Sequence, residues 1–310
     1  MSIFVENKML LSILIGGKND NYAADENGKG GVHKRLELTL NKMIDNLRRL
    51  GKDDIEVVVC DWGSEDKISD ALVKERHPNM KFVYVSPDIT KKYNGKASYS
   101  IVHPYNVSFK HSKGEYIIFW DSDCFMPYEE IENLYNFVKG LSANKEKKFY
   151  QGSRFHIPRV GYVDAASYHD VDEYLKTCIV DTKTTLRPTN DADNFVNHHM
   201  LRHNKVNVDA FNGTAMATLM HRDIAEDSTC WWEELSYWGW QDVEFHIRLN
   251  RKYICGGDME DFGVKFFHLY HYEPFEGKEK PIMNDYLMPS KFRANGKNWG
   301  LANETLEVIS

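Results

Sequence analysis

The sequence predicts an α/β fold, a mostly parallel central sheet with helices on both faces, and three observations carry that prediction. Short, unbroken apolar runs recur: LLSILIGG at residues 10–17, IEVVVC at 55–60, KFVYV at 81–85 and YIIFW at 116–120. Such runs suit strands buried on both faces. Segments with apolar residues at helical spacing alternate with them, the pattern of strand–helix–strand crossovers. Two of the strands end on aspartates, one on Asp61 and the other on Asp121 and Asp123. Sheets of this class bind ligands beyond the carboxyl ends of their strands, so the three carboxylates are expected on one rim.

Each element follows in order. Residues 10–17 form the first strand, leaving through two glycines. The polar, glycine-rich stretch 19–34 is a loop. Residues 34–50 are a helix closed by Gly51, a C-terminal signal. Residues 55–61 are the second strand, and 66–77 a helix stopped by Pro78. A third strand covers 81–87, the stretch 98–114 is largely helical despite Pro104, and the fourth strand runs into Asp121. Beyond it, KKFYQGSRFHIP (147–158) reads as one further strand. Residues 162–209 are polar and irregular, with one helical stretch near 170–179, and fit an insertion that recognises an acceptor. The stretch 264–274 is a late strand carrying His268 and His271. The chain is expected to be one domain over 1–310, with residues 1–130 binding a nucleotide and 131–310 binding an acceptor.

With 310 residues, 42% of them hydrophobic, the chain has enough material for a sizeable core. A net charge of −7 argues against a nucleic-acid-coating surface. The five cysteines are odd in number and make no CxxC pair, which reads as reduced thiols in a cytoplasmic protein. The opening MSIFVENKMLLSILIGG reads as a first strand, not a signal peptide. No apolar run approaches the roughly 18 residues of a membrane span. Work at the inner membrane surface would therefore be peripheral.

Four stretches carry a resemblance: SILIGGKND at 12–20, EVVVCDWGSED at 56–66, GEYIIFWDSDCFMP at 114–127 and ELSYWGWQDVEFHIRL at 234–249. Together with the late HYEP at 271–274 they resemble the GT-A glycosyltransferases, and within these the inverting family 2 group and its galactosyl- and N-acetylgalactosaminyl-transferring relatives. The resemblance implies a transfer of hexose or N-acetylhexosamine from a nucleotide sugar, UDP-linked, to a hydroxyl of a glycan or glycolipid, with Mn²⁺ or Mg²⁺ as cofactor. It implies that Asp123 ligates the cation and that Asp121 faces the ribose or the metal. A late histidine completes the site; the HYEP context favours His271 over His268. Asp61 would contact the nucleotide base with Trp62 packed beside it, and Asn106 on the helix before the fourth strand would belong to the same site. Asp242 would be the general base, with Trp238, Trp240 and Gln241 contacting the acceptor. Two positions depart from the family pattern. Gln241 stands where a glutamate is usual, and Tyr105 where a basic residue often precedes Asn106.

Carboxylate oxygens suit hard cations, and imidazole is acceptable to Mn²⁺. A carboxylate at a helix N-terminus stays ionised and available as a base. Each residue also has a plainer role. The Asp121–Asp123 stretch would be an acidic turn capping a helix, Asp61 a turn aspartate in DWGS, and Asp242 a helix cap. Glu244 and Arg248, at i and i+4, fit a structural ion pair. The cluster of His198, His199 and His203 lacks a carboxylate partner. Two other functions fit the architecture: a sugar-1-phosphate nucleotidyltransferase, which would want a basic glycine-rich loop after the first strand, and a non-catalytic carbohydrate- or nucleotide-binding module.

Overall fold

Seven consecutive buried residues, Leu11–Gly17, make β1 at the middle of the sheet. The fold is described from a computed structural model covering residues 8–22, 31–152, 154–156, 217–239, 241–269, 284 and 294–310. Strands β2 (Ile55–Trp62), β3 (Met80–Val85) and β4 (Tyr116–Trp120) lie parallel to β1, in the order β3-β2-β1-β4. Beyond β4 the direction changes. β8 (Ala217–His221) pairs antiparallel with both β4 and β6 (Phe149–Gly152), and β9 (Cys255–Asp258) closes that edge beside β6. At the opposite edge β11 (Glu307–Ile309) runs antiparallel to β3. The expected parallel core is therefore present, extended by antiparallel strands.

The period of two along each strand divides the core between the faces. Leu11, Ile13, Ile15, Val57, Val59 and Ile118 face one side. There they meet helix α1 (Val32–Leu50) and helix α5 (Tyr128–Ala143) through Leu40, Leu47, Leu134 and Val138. Leu14, Val58, Ile117 and Phe119 face the other side. They pack with helix α4 (Val102–Lys110), helix α6 (Arg222–Ser228) and helix α7 (Gln241–Lys252). Helix α1 ends as expected: Gly51 takes a left-handed conformation (φ 57°) and its N–H donates to the Leu47 carbonyl at 3.0 Å.

Two elements differ from the sequence-based expectation. The helix expected over 66–77 is a single turn, α2 (Ile68–Ala71). Asn41 on α1 explains the stop. Its side-chain amide donates to the Leu72 carbonyl at 2.8 Å and its oxygen accepts from the Lys74 N–H at 3.1 Å, so both groups are satisfied outside a helix. A second short helix, α3 (Pro87–Tyr93), follows β3. The strand expected over 147–158 is divided between two sheets. β6 belongs to the large sheet, while β7 (Arg154–His156) joins a small one in the order β5-β10-β7, with β5 at Cys124–Phe125 and β10 at Phe266–His268. At the division a Cβ on Gly152 would lie 2.6 Å from the Phe266 ring, so the chain passes too close to β10 for a side chain.

Candidate active site at the carboxyl ends of β1, β2 and β4

Asp121 and Asp123 occupy a tight turn immediately after β4. The Cys124 N–H donates to the Asp121 carbonyl at 3.1 Å, and the Trp120 indole N–H to the Cys124 carbonyl at 2.7 Å. The turn directs the two carboxylates to different partners. Asp121 Oδ1 accepts the Tyr105 hydroxyl at 2.5 Å. Burial, and then the charge of Asp121, hold the Tyr105 phenol well above its usual range. Asp123 Oδ2 lies 3.6 Å from Arg35 Nε on α1 and 3.5 Å from His268 Nε2. The Arg35 side chain is buried, so its charge faces the carboxylate through little water.

β10 is what delivers His268. It pairs antiparallel with β5, setting His268 opposite Cys124, and the Leu269 N–H donates to the Asp123 carbonyl at 2.9 Å. The sequence argument favoured His271, which lies outside the described residues, as do Trp240 and the His198–His199–His203 cluster. Among the described residues, His268 is the histidine at Asp123. Pairing between β5 and β10 has no local sequence signal, so nothing adjacent to His268 in the chain marks its place beside Asp123.

Asp61 stands at the end of β2, directly opposite Gly17 at the end of β1. Its carboxylate accepts from the Ser64 N–H at 3.2 Å and the Ile68 N–H at 2.8 Å. It thus forms the DWGS turn and the start of α2, with Gly63 in the left-handed region at φ 79°. Burial raises its pKa, and these donors oppose the rise. The loop after β1 is fastened to this turn, the Asn19 N–H donating to Ser64 Oγ at 2.8 Å. The phenol of Tyr99 lies near the strand ends, 3.4 Å from where a Cβ on Gly16 would stand. Burial raises its pKa, and the charges of Cys60, Asp121, Asp20 and Asp61 add to the rise. Tyr22, on the loop after β1, is exposed.

Two expected nucleotide contacts are structural instead. Trp62 is wholly buried, stacked on His103 at 5.4 Å with its indole N–H donating to Asn94 Oδ1 at 2.7 Å, and presents no face to a base. Asn106 is equally buried. Its amide donates to the Trp231 carbonyl (2.8 Å) and Glu233 Oε1 (3.0 Å), and its oxygen accepts from the Trp231 N–H (3.0 Å). It fastens α4 to the loop before α7 and has no polar atom left for a ligand.

Trp238, expected to contact the acceptor, is half exposed (52%). The turn that carries it is clamped by Asn284, whose amide donates to the Tyr237 and Gly239 carbonyls, both at 2.6 Å, while its oxygen accepts from the Tyr237 N–H at 3.0 Å. Gly239 takes φ 81°. Gln241 opens α7 and donates to the Tyr237 carbonyl, so its amide braces the same turn. Asp242 follows, in the first turn of the helix. Glu244 and Arg248 form the expected ion pair at 2.7 Å, and Arg248 also donates to the Cys230 carbonyl at 2.6 Å. Asn284, Arg35 and Tyr99 were not singled out by sequence reasoning, because each acts through long-range contacts.

The sequence profile described as "Glycosyl transferase family 2" matches residues 32–225, a span that includes β2, β4, Asp61, Asp121 and Asp123. The chain belongs to glycosyl transferase family 2. Its α/β sheet is of the GT-A type. A comparison with curated proteins finds no match. Among solved structures, the 1–349 fragment of S. aureus TarS is similar at 14% identity and a TM-score of 0.42, over 86% of this chain and 59% of that one. A longer TarS structure gives 16% and 0.45, over 84% of this chain and 37% of that one. TarS 1–349 in complex with UDP-GlcNAc gives 13% and 0.43, over 86% and 60%. This chain therefore spans less than two thirds of each TarS chain.

Proposed function

We propose that this family 2 member transfers a hexose or N-acetylhexosamine from a UDP-linked donor to a hydroxyl of a glycan or glycolipid, with inversion at the anomeric carbon and with Mn²⁺ or Mg²⁺ as cofactor. The observation that carries the reading is the meeting of Asp123 and His268 just past β4, with Asp121 two positions away in the same turn. Family membership weighs against the nucleotidyltransferase alternative and against a purely binding module.

The donor set fits such a cation. A carboxylate and an imidazole stand 3.5 Å apart at Asp123 and His268, a mixture Mn²⁺ accepts. No group of three His, Cys, Asp or Glu gathers as a ready-made site among the described residues. We therefore read Asp123 and His268 as ligands, Asp121 as a further one or as a ribose contact, and the donor diphosphate as the source of the remaining oxygens. When bound, the cation supplies Lewis-acid stabilisation of the charge on the leaving diphosphate. Tyr105 donates to Asp121, and Arg35 faces Asp123. Asp242 accepts the proton of the acceptor hydroxyl as that oxygen bonds to the anomeric carbon and the bond to the diphosphate breaks. Trp238 offers an exposed ring for a sugar face. The chain's place would be the cytoplasm, at the inner membrane surface when the acceptor is a glycolipid.

Calorimetry of UDP binding with and without Mn²⁺ tests the cation site. Asp123→Ala is expected to abolish the Mn²⁺ dependence of UDP affinity and, with it, release of UDP from UDP-sugars. Unchanged metal-assisted affinity in that variant would overturn the assignment.

A further inference from the structure

The aspartate assigned as base sits on the first turn of α7, and a side chain one turn further along ties that turn to the sheet. His246 is fully buried. Its Nδ1 lies 2.9 Å from the Asp242 carbonyl oxygen and its Nε2 3.0 Å from the Thr218 hydroxyl. A carbonyl oxygen only accepts, so Nδ1 carries the hydrogen. Burial pushes the imidazole pKa down, against the charge and backbone contact of Asp242, and with the hydrogen on Nδ1 the Nε2 accepts from the Thr218 hydroxyl. Thr218 lies on β8 directly opposite Phe119 of β4, two positions before Asp121. Bonds therefore lead from the strand that presents the donor-side aspartates to the helix that presents Asp242.

An apolar ring would fill this place in the core without the cost of burying two polar nitrogens. The imidazole spends both nitrogens on one junction, between β8 and the start of α7. We propose that His246 is a positioning residue for Asp242: by joining the Asp242 carbonyl to Thr218, it sets where the Asp242 carboxylate stands relative to Asp121 and Asp123. The proposal rests on the reading of Asp242 as base. The residue does not touch substrate. Its effect is on the alignment of the base, where a misplacement of about 1 Å costs about 100-fold in rate.

Two amides dissect the junction in the full chain. In His246→Asn the amide nitrogen falls where Nδ1 does, keeping the bond to the Asp242 carbonyl and losing Thr218. In His246→Gln the longer amide reaches toward Thr218 and loses the carbonyl. Each amide breaks the junction between Thr218 and the Asp242 carbonyl, at opposite ends, and neither touches the donor. Positioning therefore predicts that both lose about 10- to 100-fold in kcat, read as UDP release from UDP-galactose, UDP-glucose and their N-acetylamino counterparts, with donor KM and Mn²⁺–UDP affinity unchanged. Thr218→Val keeps the ring and removes the donor to Nε2; it should lower kcat likewise at constant UDP affinity, and it decides the question if the His246 variants do not fold. Parent-like turnover in either amide variant or in Thr218→Val, or kcat falling only in step with melting temperature, would overturn the proposal. Asp242→Asn, assayed alongside, separates the two levels. If it keeps its turnover, the base reading fails and the positioning role with it. If it loses turnover while His246→Gln does not, only the positioning role fails.

Discussion

Asp121 and Asp123 stand two positions apart, yet one takes a neutral phenol and the other a buried guanidinium and an imidazole. The turn after β4 separates them, since on a continuing strand both side chains would share one face. Asp242 has a third setting, in the first turn of a helix. On the base reading, the proton transfer from the acceptor is needed only in the transition state, so donor binding does not depend on it. Asp242→Asn keeps the size and loses the ability to accept the proton. Its kcat should fall by about 10² to 10⁴, while calorimetry finds UDP affinity with Mn²⁺ within a few-fold of the parent. Near-normal turnover would reduce Asp242 to a helix cap. NMR of the product should show an inverted anomeric centre, and a retained one would exclude direct displacement even if Asp242 proved essential.

Among the elements, the C-terminal segment does more than its polar sequence suggests. Asn295 donates to the Thr229 and Trp231 carbonyls at 2.8 and 2.6 Å, and its oxygen accepts from the Glu233 N–H at 2.9 Å. Trp299 stacks on Phe109 of α4 at 5.6 Å. Glu233 is the meeting point, with Oε1 accepting from Asn106 (3.0 Å) and from the Gly300 N–H (2.7 Å), while His103 lies 3.7 Å away. Burial raises the pKa of this carboxyl, but the His103, Asn106 and Gly300 contacts outweigh it and leave it lowered. A depressed folded-state pKa means stability that is present above the unfolded value, about 4.3 for glutamate, and lost as pH falls through the lower folded value. Glu233→Gln should therefore melt below the parent at pH 7, and the gap should narrow as pH drops below about 4. A gap independent of pH would mean that the charge of Glu233 contributes nothing to this junction. The same commitments make Glu233 a poor candidate for a second base.

Across the whole molecule, the eight-stranded sheet carries β1 to β4 from the first 130 residues and β6, β8, β9 and β11 from those that follow. On the proposed function, the donor side lies at the ends of β1, β2 and β4 and the acceptor side on α7 and the turn before it. Hydrogen exchange should show this division. UDP with Mn²⁺ is expected to protect amides of residues 57–66 and 116–125, while 234–245 gain protection only when an acceptor is added. Protection concentrated in 162–209 on adding UDP alone would mean that the two halves have been assigned the wrong way round. No helix among the described residues is long and apolar enough to cross a membrane.

The sequence by itself determined the parallel core, the strand ends at Asp61 and Asp121, the Gly51 stop of α1 and the Glu244–Arg248 pair. Each depends on residues adjacent along the chain or one helical turn apart, so composition and period are enough to reveal it. Only the tertiary structure decided that His268 meets Asp123, that Arg35 faces the same carboxylate, that Asn41 ends α2 after one turn, and that Trp62 and Asn106 are committed to packing. Those outcomes depend on which distant backbone groups and side chains arrive within hydrogen-bonding reach. Local pattern carries no information about that arrival, and a buried polar group takes whichever partner the fold delivers, because leaving it without one costs about 1–3 kcal/mol.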